Sequence, residues 1–313
     1  MTVDGLRVTG IGAVSACGVG TGALLSPPER PANDAPRTID DLDAAGILGM
    51  RGLRPLSRAS LLAAVAAAEA LGHPADAPGD PVRRAVVVGT RWASLEPLFQ
   101  FEQTAAREGP GLVNPAHFPN VVVNAHAGYL GILFGLAGPS MTLCGPGSGL
   151  EAIGAACDLL SLGRADYAVA GGVESLGEVV LEGLGRNGHG ESDGPPGEAG
   201  AFLLIARGAV AGVPVAAFAS GPRAARYELV ARALAEAGLA ADEIGAAWSA
   251  GEAPMGLPVQ RIEEFTGDCG GAGGALAAVA AAAGAAASGE PALAAALPPS
   301  GTQSILVFGA GAD

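Results

Sequence analysis

The chain contains no lysine; all 17 of its basic residues are arginine. That excludes a phosphate-loop lysine, a Schiff-base lysine and a catalytic serine–lysine pair. Aromatic residues are scarce, at 4%, so the core must be built from alanine, valine and leucine. Such a core is weakly anchored and favours burying further surface against a partner chain. Cysteines number four (Cys17, Cys144, Cys157, Cys269), with no CxxC pair, which fits neither a disulfide framework nor a zinc site. Their expected role is that of small buried apolar residues in a reducing compartment, Cys144 excepted. The start of the chain, MTVDGLRVTG, has no basic stretch before an apolar run. No secretory signal is expected, and the expected location is cytoplasmic.

What the chain has in excess is glycine, 50 of 313 residues, and acidic charge, with a net charge of −14 and a hydrophobic share of 50%. Half the residues being apolar excludes disorder for the bulk of the chain. The negative charge argues against nucleic acid and anionic membrane as partners. Residues 270–289 carry no charge over about one membrane span, but they are nearly all Ala and Gly. A small-residue helix buried in the protein is expected there.

Strand and helix signals alternate. Leu6–Thr9 reads as a short strand running into a turn at GIGAVSACG, and residues 27–53 as a surface excursion rich in Pro, Asp and Gly. Arg58–Leu71 has a helical face and a glycine just past its end; RAVVVG (84–89) is a continuous apolar run suited to a buried strand. Further strands are expected at 141–144, 167–170, 201–206, 246–249 and 304–308, and helices at 124–135, 149–162, 227–237 and 274–288. The order helix, glycine, acidic loop, strand occurs at 58–89 and again at 227–249, which suggests an internal duplication. The alternation predicts an α/β protein with a largely parallel sheet covered on both faces. Gly10-Ile11-Gly12 follows a strand, but Ser15 stands at the third glycine position and no acidic residue closes a second strand, so a packing turn is expected rather than a dinucleotide site.

Residues 114–175 carry the most information. A strand enters a helix there through a small-residue elbow, CGPGSG. Backbone N–H groups at such a helix start can lower a thiol pKa and hold an oxyanion, which makes Cys144 a candidate nucleophile. The four histidines are His73, His117, His126 and His189, and no pair has metal-ligand spacing. His73 and His189 are expected at the surface; Glu174, at a strand end after two glycines, is expected to serve a structural hydrogen-bonding role.

The segment resembles the β-ketoacyl-acyl-carrier-protein synthases. The resemblance rests on Phe118, Pro119 and Asn124, on Gly138–Ser140, on SGLEAI (148–153), on the run from Ala165 to Glu174, and on the opening VTGIGAVSACG and closing VFGAGAD. It implies a thiolase-like five-layered αβαβα fold built from two related halves. One domain over 1–313 is expected, with an N-terminal half of about 1–210 and a shortened half at 211–313. It also implies a dimer whose two-fold lies near Met141–Cys144, and a Cys-His-His site. Aligning SGLEAI places Pro146 at the nucleophile position; a gap after Cys144 would place that cysteine there instead. Ala250 and Asp268 fall on the two histidine positions, and Ala310 on that of a phenylalanine gate. A carboxylate at 268 would repel a developing enolate.

The resemblance therefore implies a degenerate member like the chain length factors of type II polyketide systems. Such a subunit would pair with an active ketosynthase and shape the acyl pocket. It would bind no cofactor of its own; its ligand would be an acyl chain on the phosphopantetheine of a carrier protein, which docks through the partner. Pocket or interface residues would be His117, Phe118, Asn124, His126, Tyr129, Met141 and Ala310. Two other readings stay open: an acyltransferase or hydrolase using Cys144 or Ser148, and a binding or scaffold protein.

Overall fold

A computed structural model describes residues 3, 5–26, 35–72, 78–92, 94–186, 194–254 and 256–310. In chain order, the first part runs β1 (Leu6–Ser15), β2 (Gly18–Val19), α1 (Thr21–Leu25), α2 (Ala44–Leu48), α3 (Arg58–Leu71), β3 (Arg84–Thr90), α4 (Leu95–Glu108), α5 (Ala125–Phe134), β4 (Ser140–Cys144), α6 (Ser148–Ser161), β5 (Tyr167–Glu174), α7 (Glu178–Arg186) and β6 (Ala199–Arg207). The second runs β7 (Val213–Pro222), α8 (Arg226–Ala237), β8 (Ala246–Gly251), β9 (Val259–Arg261), α9 (Glu263–Thr266), α10 (Gly273–Ser288), β10 (Ala292–Leu297) and β11 (Thr302–Phe308).

The strands pair in the order β4-β3-β5-β6-β1-β7-β11-β10-β8-β9. Read outward from the β1–β7 junction, the two arms are the same: β1-β6-β5-β3-β4 on one side and β7-β11-β10-β8-β9 on the other. Helices α3 and α8 precede the matching strands β3 and β8, and α6 and α10 precede β5 and β10. The duplication read from 58–89 and 227–249 is thus carried through the whole topology.

The sheet is mixed, not largely parallel. Pairs β3–β4, β3–β5, β8–β9 and β8–β10 are parallel, whereas β5–β6, β1–β6, β1–β7, β7–β11 and β10–β11 are antiparallel. The physical reason for the wrong expectation is that β6 (buried at every position but the last) and β11 are covered on both faces, so their continuous apolar runs read as parallel strands.

Five layers follow from the packing. Helices α3 and α5 cover the outer face of the first arm, with Leu62, Val65, Leu130 and Phe134 against Val86, Val88 and Phe202. Helices α6 and α10 lie between the arms and share one core with both, including Leu150, Ile153, Leu276 and Val279. Helix α8 covers the second arm through Leu229 and Leu234. Helix α10 is the apolar 270–289 stretch, most of it buried between the arms. The inner layer is thin where α6 meets the turn leading into α10: a β-carbon built on Gly149 of α6 would lie 2.5 Å from the Gly271 carbonyl oxygen.

Strand β1 extends through Ser15, so GIG lies inside a strand rather than in a turn. Glycine is needed because α3 crosses it. A β-carbon on Gly12 would lie 2.1 Å from the Ala66 carbonyl oxygen, and one on Gly10 1.9 Å from that of Ala70. Helix α3 itself is set by Ser57, whose hydroxyl accepts from the Ser60 N–H, and by Gly72 in the left-handed region at φ 77°. The described part of the expected surface excursion does lie at the surface, and a few residues pin it to the body of the protein. Ala44, Leu48 and Leu53 are buried against α3. Glu198 anchors this stretch: it is fully buried and accepts from the Ile39 N–H (2.7 Å), the Leu176 N–H (3.3 Å) and the Arg58 guanidinium.

Candidate functional site

Parallel strands in α/β proteins leave a crevice at their carboxyl ends, where ligands bind. Here the carboxyl ends of β3, β4, β8 and β10 meet in one cavity of about 280 Å³. Arg91 comes from the end of β3, Pro146 from the elbow after β4, Ala250 and Gly251 from the end of β8, and Ala296, Pro298 and Pro299 from the end of β10. Asp268 and Gly270 enter ahead of α10, and Arg223, Glu252, Arg261 and Glu263 complete the lining. Pro146, Ala250 and Asp268, far apart in sequence, therefore face a single space.

The charges are mostly matched. Glu252 accepts from Arg223 (2.7 Å) and pairs with Arg226. Glu263 accepts from the Gly251 N–H (2.7 Å) and from Arg261 (3.0 Å). Burial, reinforced by the Asp268 charge, raises the Glu263 carboxyl to about 7. Asp268 accepts from the Gly270 N–H (2.9 Å). Arg91 stacks on the Trp92 ring, 5.4 Å from its centroid. Behind the cavity, Glu174 ends β5 fully buried. It accepts from Thr90 Oγ1, from the Arg91 N–H (2.8 Å) and from the Trp92 N–H (3.2 Å), and so shapes the turn that presents Arg91. Burial pushes its carboxyl up to about 7. The structural role expected of Glu174 is the one its bonds describe.

The described residues lining the cavity include no cysteine, serine, threonine, lysine or histidine. Cys144 lies outside it, exposed at the end of the edge strand β4. Its thiol pKa is raised, first by partial burial and then by the Glu174 charge. The elbow does not activate it, because Cys144 still belongs to the strand and Gly145, Pro146 and Gly147 separate it from the start of α6. Ser148 opens α6 with a buried hydroxyl that has no hydrogen-bond partner among the described residues, and it is not among the lining residues.

The other expected pocket residues scatter. His126, placed by the sequence at pocket or interface, is buried between α5 and α3, with Nδ1 3.0 Å from the Ser60 hydroxyl, and lines neither this cavity nor the next. The small residues around α3 let an imidazole fit inside. His117 lines a second, open cavity of about 590 Å³ between α4 and the 110–120 segment. Phe118 is largely exposed and meets Phe101 edge-on at 6.1 Å. Asn124 is an exposed N-cap of α5 without a side-chain capping bond, and Tyr129 is half-buried on the same helix. Met141 is exposed on β4, and Ala310 is exposed beyond β11, outside the cavity. His73 and His189 lie outside the described residues. Sequence reasoning missed Arg91, Arg261 and Glu263. Glu263 was within reach, since it lies just ahead of Asp268, a position the resemblance had already singled out.

The model of the family "Beta-ketoacyl synthase, N-terminal domain" matches residues 40–218, more than half of the chain. The chain belongs to the β-ketoacyl synthase family. This β-ketoacyl synthase homologue is 35% identical over 99 residues to 3-oxoacyl-[acyl-carrier-protein] synthase 2 of Rhizobium meliloti, a stretch covering 31% of the chain and 23% of the relative. It is 38% identical over 95 residues to the synthase of the same name from Vibrio cholerae, covering 29% and 22%. The match thus spans under a quarter of each relative's length. Among solved structures, it resembles the ishigamide ketosynthase/chain length factor with a TM-score of 0.82 at 24% identity, covering 98% of this chain and 99% of that one. It also resembles a ketosynthase in complex with its chain length factor from Xenorhabdus doucetiae, with a TM-score of 0.76 at 17% identity and 98% of both chains covered. These likenesses show the thiolase-like fold.

Proposed function

We propose that this synthase homologue is a non-condensing subunit that pairs with an active ketosynthase and shapes the acyl-chain pocket, as a chain length factor does. The observation that carries the reading is the cavity where Pro146, Ala250 and Asp268 converge without a nucleophile or an imidazole among its described lining. Condensation needs a thiolate to take the acyl group and neutral or cationic donors to stabilise the carbanion. Proline has no nucleophilic side chain, and alanine has no proton donor.

A second feature supports a partner. Strand β4 is an edge strand. Around it lie exposed apolar side chains: Met141 on the strand, Ile132 on α5, and Phe118, Val122 and Val123 on the segment leading into α5. An unpaired edge beside exposed apolar groups is a template for another chain. The ligand would be an acyl chain on a carrier protein's phosphopantetheine. With a net charge of −14, this chain is a poor dock for an acidic carrier, so the partner would supply the basic surface. The acyltransferase reading loses ground because Cys144 sits outside the cavity with a raised pKa.

Co-expression with a ketosynthase encoded beside it, followed by intact-complex mass and an acylation assay of each chain, tests the reading. A one-to-one complex acylated only on the partner is expected. A homodimer acylated at Cys144 would overturn it.

A further inference from the structure

Six ionisable side chains line the cavity, and four of them are matched: Glu252 with Arg223 and Arg226, and Glu263 with Arg261. Two are not. Arg91 stacks on Trp92 but forms no ion pair among the described residues. Asp268 accepts one backbone N–H and meets no cation among them. A guanidinium and a carboxylate thus face one space without pairing to each other. Charged groups left without partners in a partly buried space are costly, and a complementary ligand removes that cost.

We infer that this cavity is a binding site for a small zwitterion of the α-amino acid class. Its carboxylate meets Arg91, and its ammonium meets Asp268. A simple anion satisfies Arg91 but faces the carboxylates of Glu252, Glu263 and Asp268. A simple amine meets the reverse problem. A zwitterion satisfies both signs at once. Between the charges, Pro146, Ala250, Ala296, Pro298 and Pro299 form an apolar wall suited to a hydrocarbon side chain. The volume, about 280 Å³, lies near the lower bound of roughly 300 Å³ usual for ligand pockets and suits a small metabolite. The inference holds whether or not the chain pairs with a ketosynthase.

Isothermal titration calorimetry of the full chain decides it. The probes are the twenty protein α-amino acids; for each that binds, the carboxylic acid and the primary amine bearing the same side chain serve as half-ligands. At least one amino acid is expected to saturate, about tenfold tighter than either half-ligand. Arg91→Ala and Asp268→Asn are each expected to weaken it by about tenfold or more. Ala250→Leu, which fills the cavity and leaves every charge in place, is expected to abolish binding, and it keeps the test decisive should a charge variant fail to fold. The inference is overturned if no amino acid saturates, if a half-ligand binds as tightly, or if folded variants bind like the parent.

Discussion

Thr90 and Cys144 are the last opposed pair of the parallel strands β3 and β4. That register fixes Cys144 on the outer edge of the sheet, while Thr90 turns inward to Glu174. The thiol is therefore accessible but not activated. A maleimide is expected to label Cys144 no faster than an ordinary thiol at neutral pH, and an acyl-pantetheine thioester is expected to leave its mass unchanged. Fast, stoichiometric acylation that disappears in Cys144→Ala would contradict this.

The cavity lacks two kinds of group, not one. Pro146→Cys is expected to add at most slow self-acylation, without carbon–carbon bond formation from a malonyl donor, because Ala250 and Asp268 still provide no imidazole. Intact mass and product chromatography separate the two steps.

Glu174 and Glu263 make stability depend on pH in an uncommon direction. Each carboxyl is raised from 4.5 to about 7, by burial first. Between those values the folded chain binds more protons than the unfolded one, so stability is full below about pH 4.5 and falls as pH rises through 7. For fully buried Glu174 the loss is on the order of 3 kcal/mol. Glu174→Gln keeps an acceptor for the Arg91 and Trp92 N–H groups, so it is expected to flatten the decline between about pH 5 and pH 8. Denaturant unfolding at several pH values measures this; an unchanged slope would show that Glu174 is not the titrating group.

Glu198 holds the 37–58 segment through the Arg58 guanidinium and the Ile39 N–H, and also accepts from the Leu176 N–H just after β5. Glu198→Ala leaves those donors unpaired, and a loss of about 3–5 kcal/mol is expected. A loss of unfolding free energy of less than about 1 kcal/mol would mean that water replaces the carboxylate there.

Gly12→Ala is expected to destabilise by at least about 3 kcal/mol, because its methyl would meet the backbone of α3 rather than a side chain that can move. Thermal unfolding checks it, with Gly111→Ala, where a methyl meets open space, as the control.

Much of this was written locally. Ser57 and Gly72 bound α3, and the RAVVVG run makes β3. Strand direction was not, because β6 and β11 are buried on both faces whichever way they run. Strand β10 (ALAAAL) shares the composition of α10 just before it, so periodicity does not separate them. Helix α4 carries Leu95, Leu98 and Phe99 at helical spacing, a stripe that could have been read, although none of its residues is buried. At the site, family motifs placed Pro146, Ala250 and Asp268, but Arg91, Arg261 and Glu263 come from three strand or helix ends that only the fold brings together. His126 shows the converse: position near a motif said nothing of the direction in which the imidazole points.

The inner helices α6 and α10 belong to both arms at once. Neither arm can therefore hide its apolar slab without the other. A ribosome that has released only the first arm holds a sheet whose inner face is covered by α6 alone, and the rest of that face stays sticky until α10 slides in. A premature stop anywhere before α10 should yield not a smaller domain but a client for chaperones and proteases.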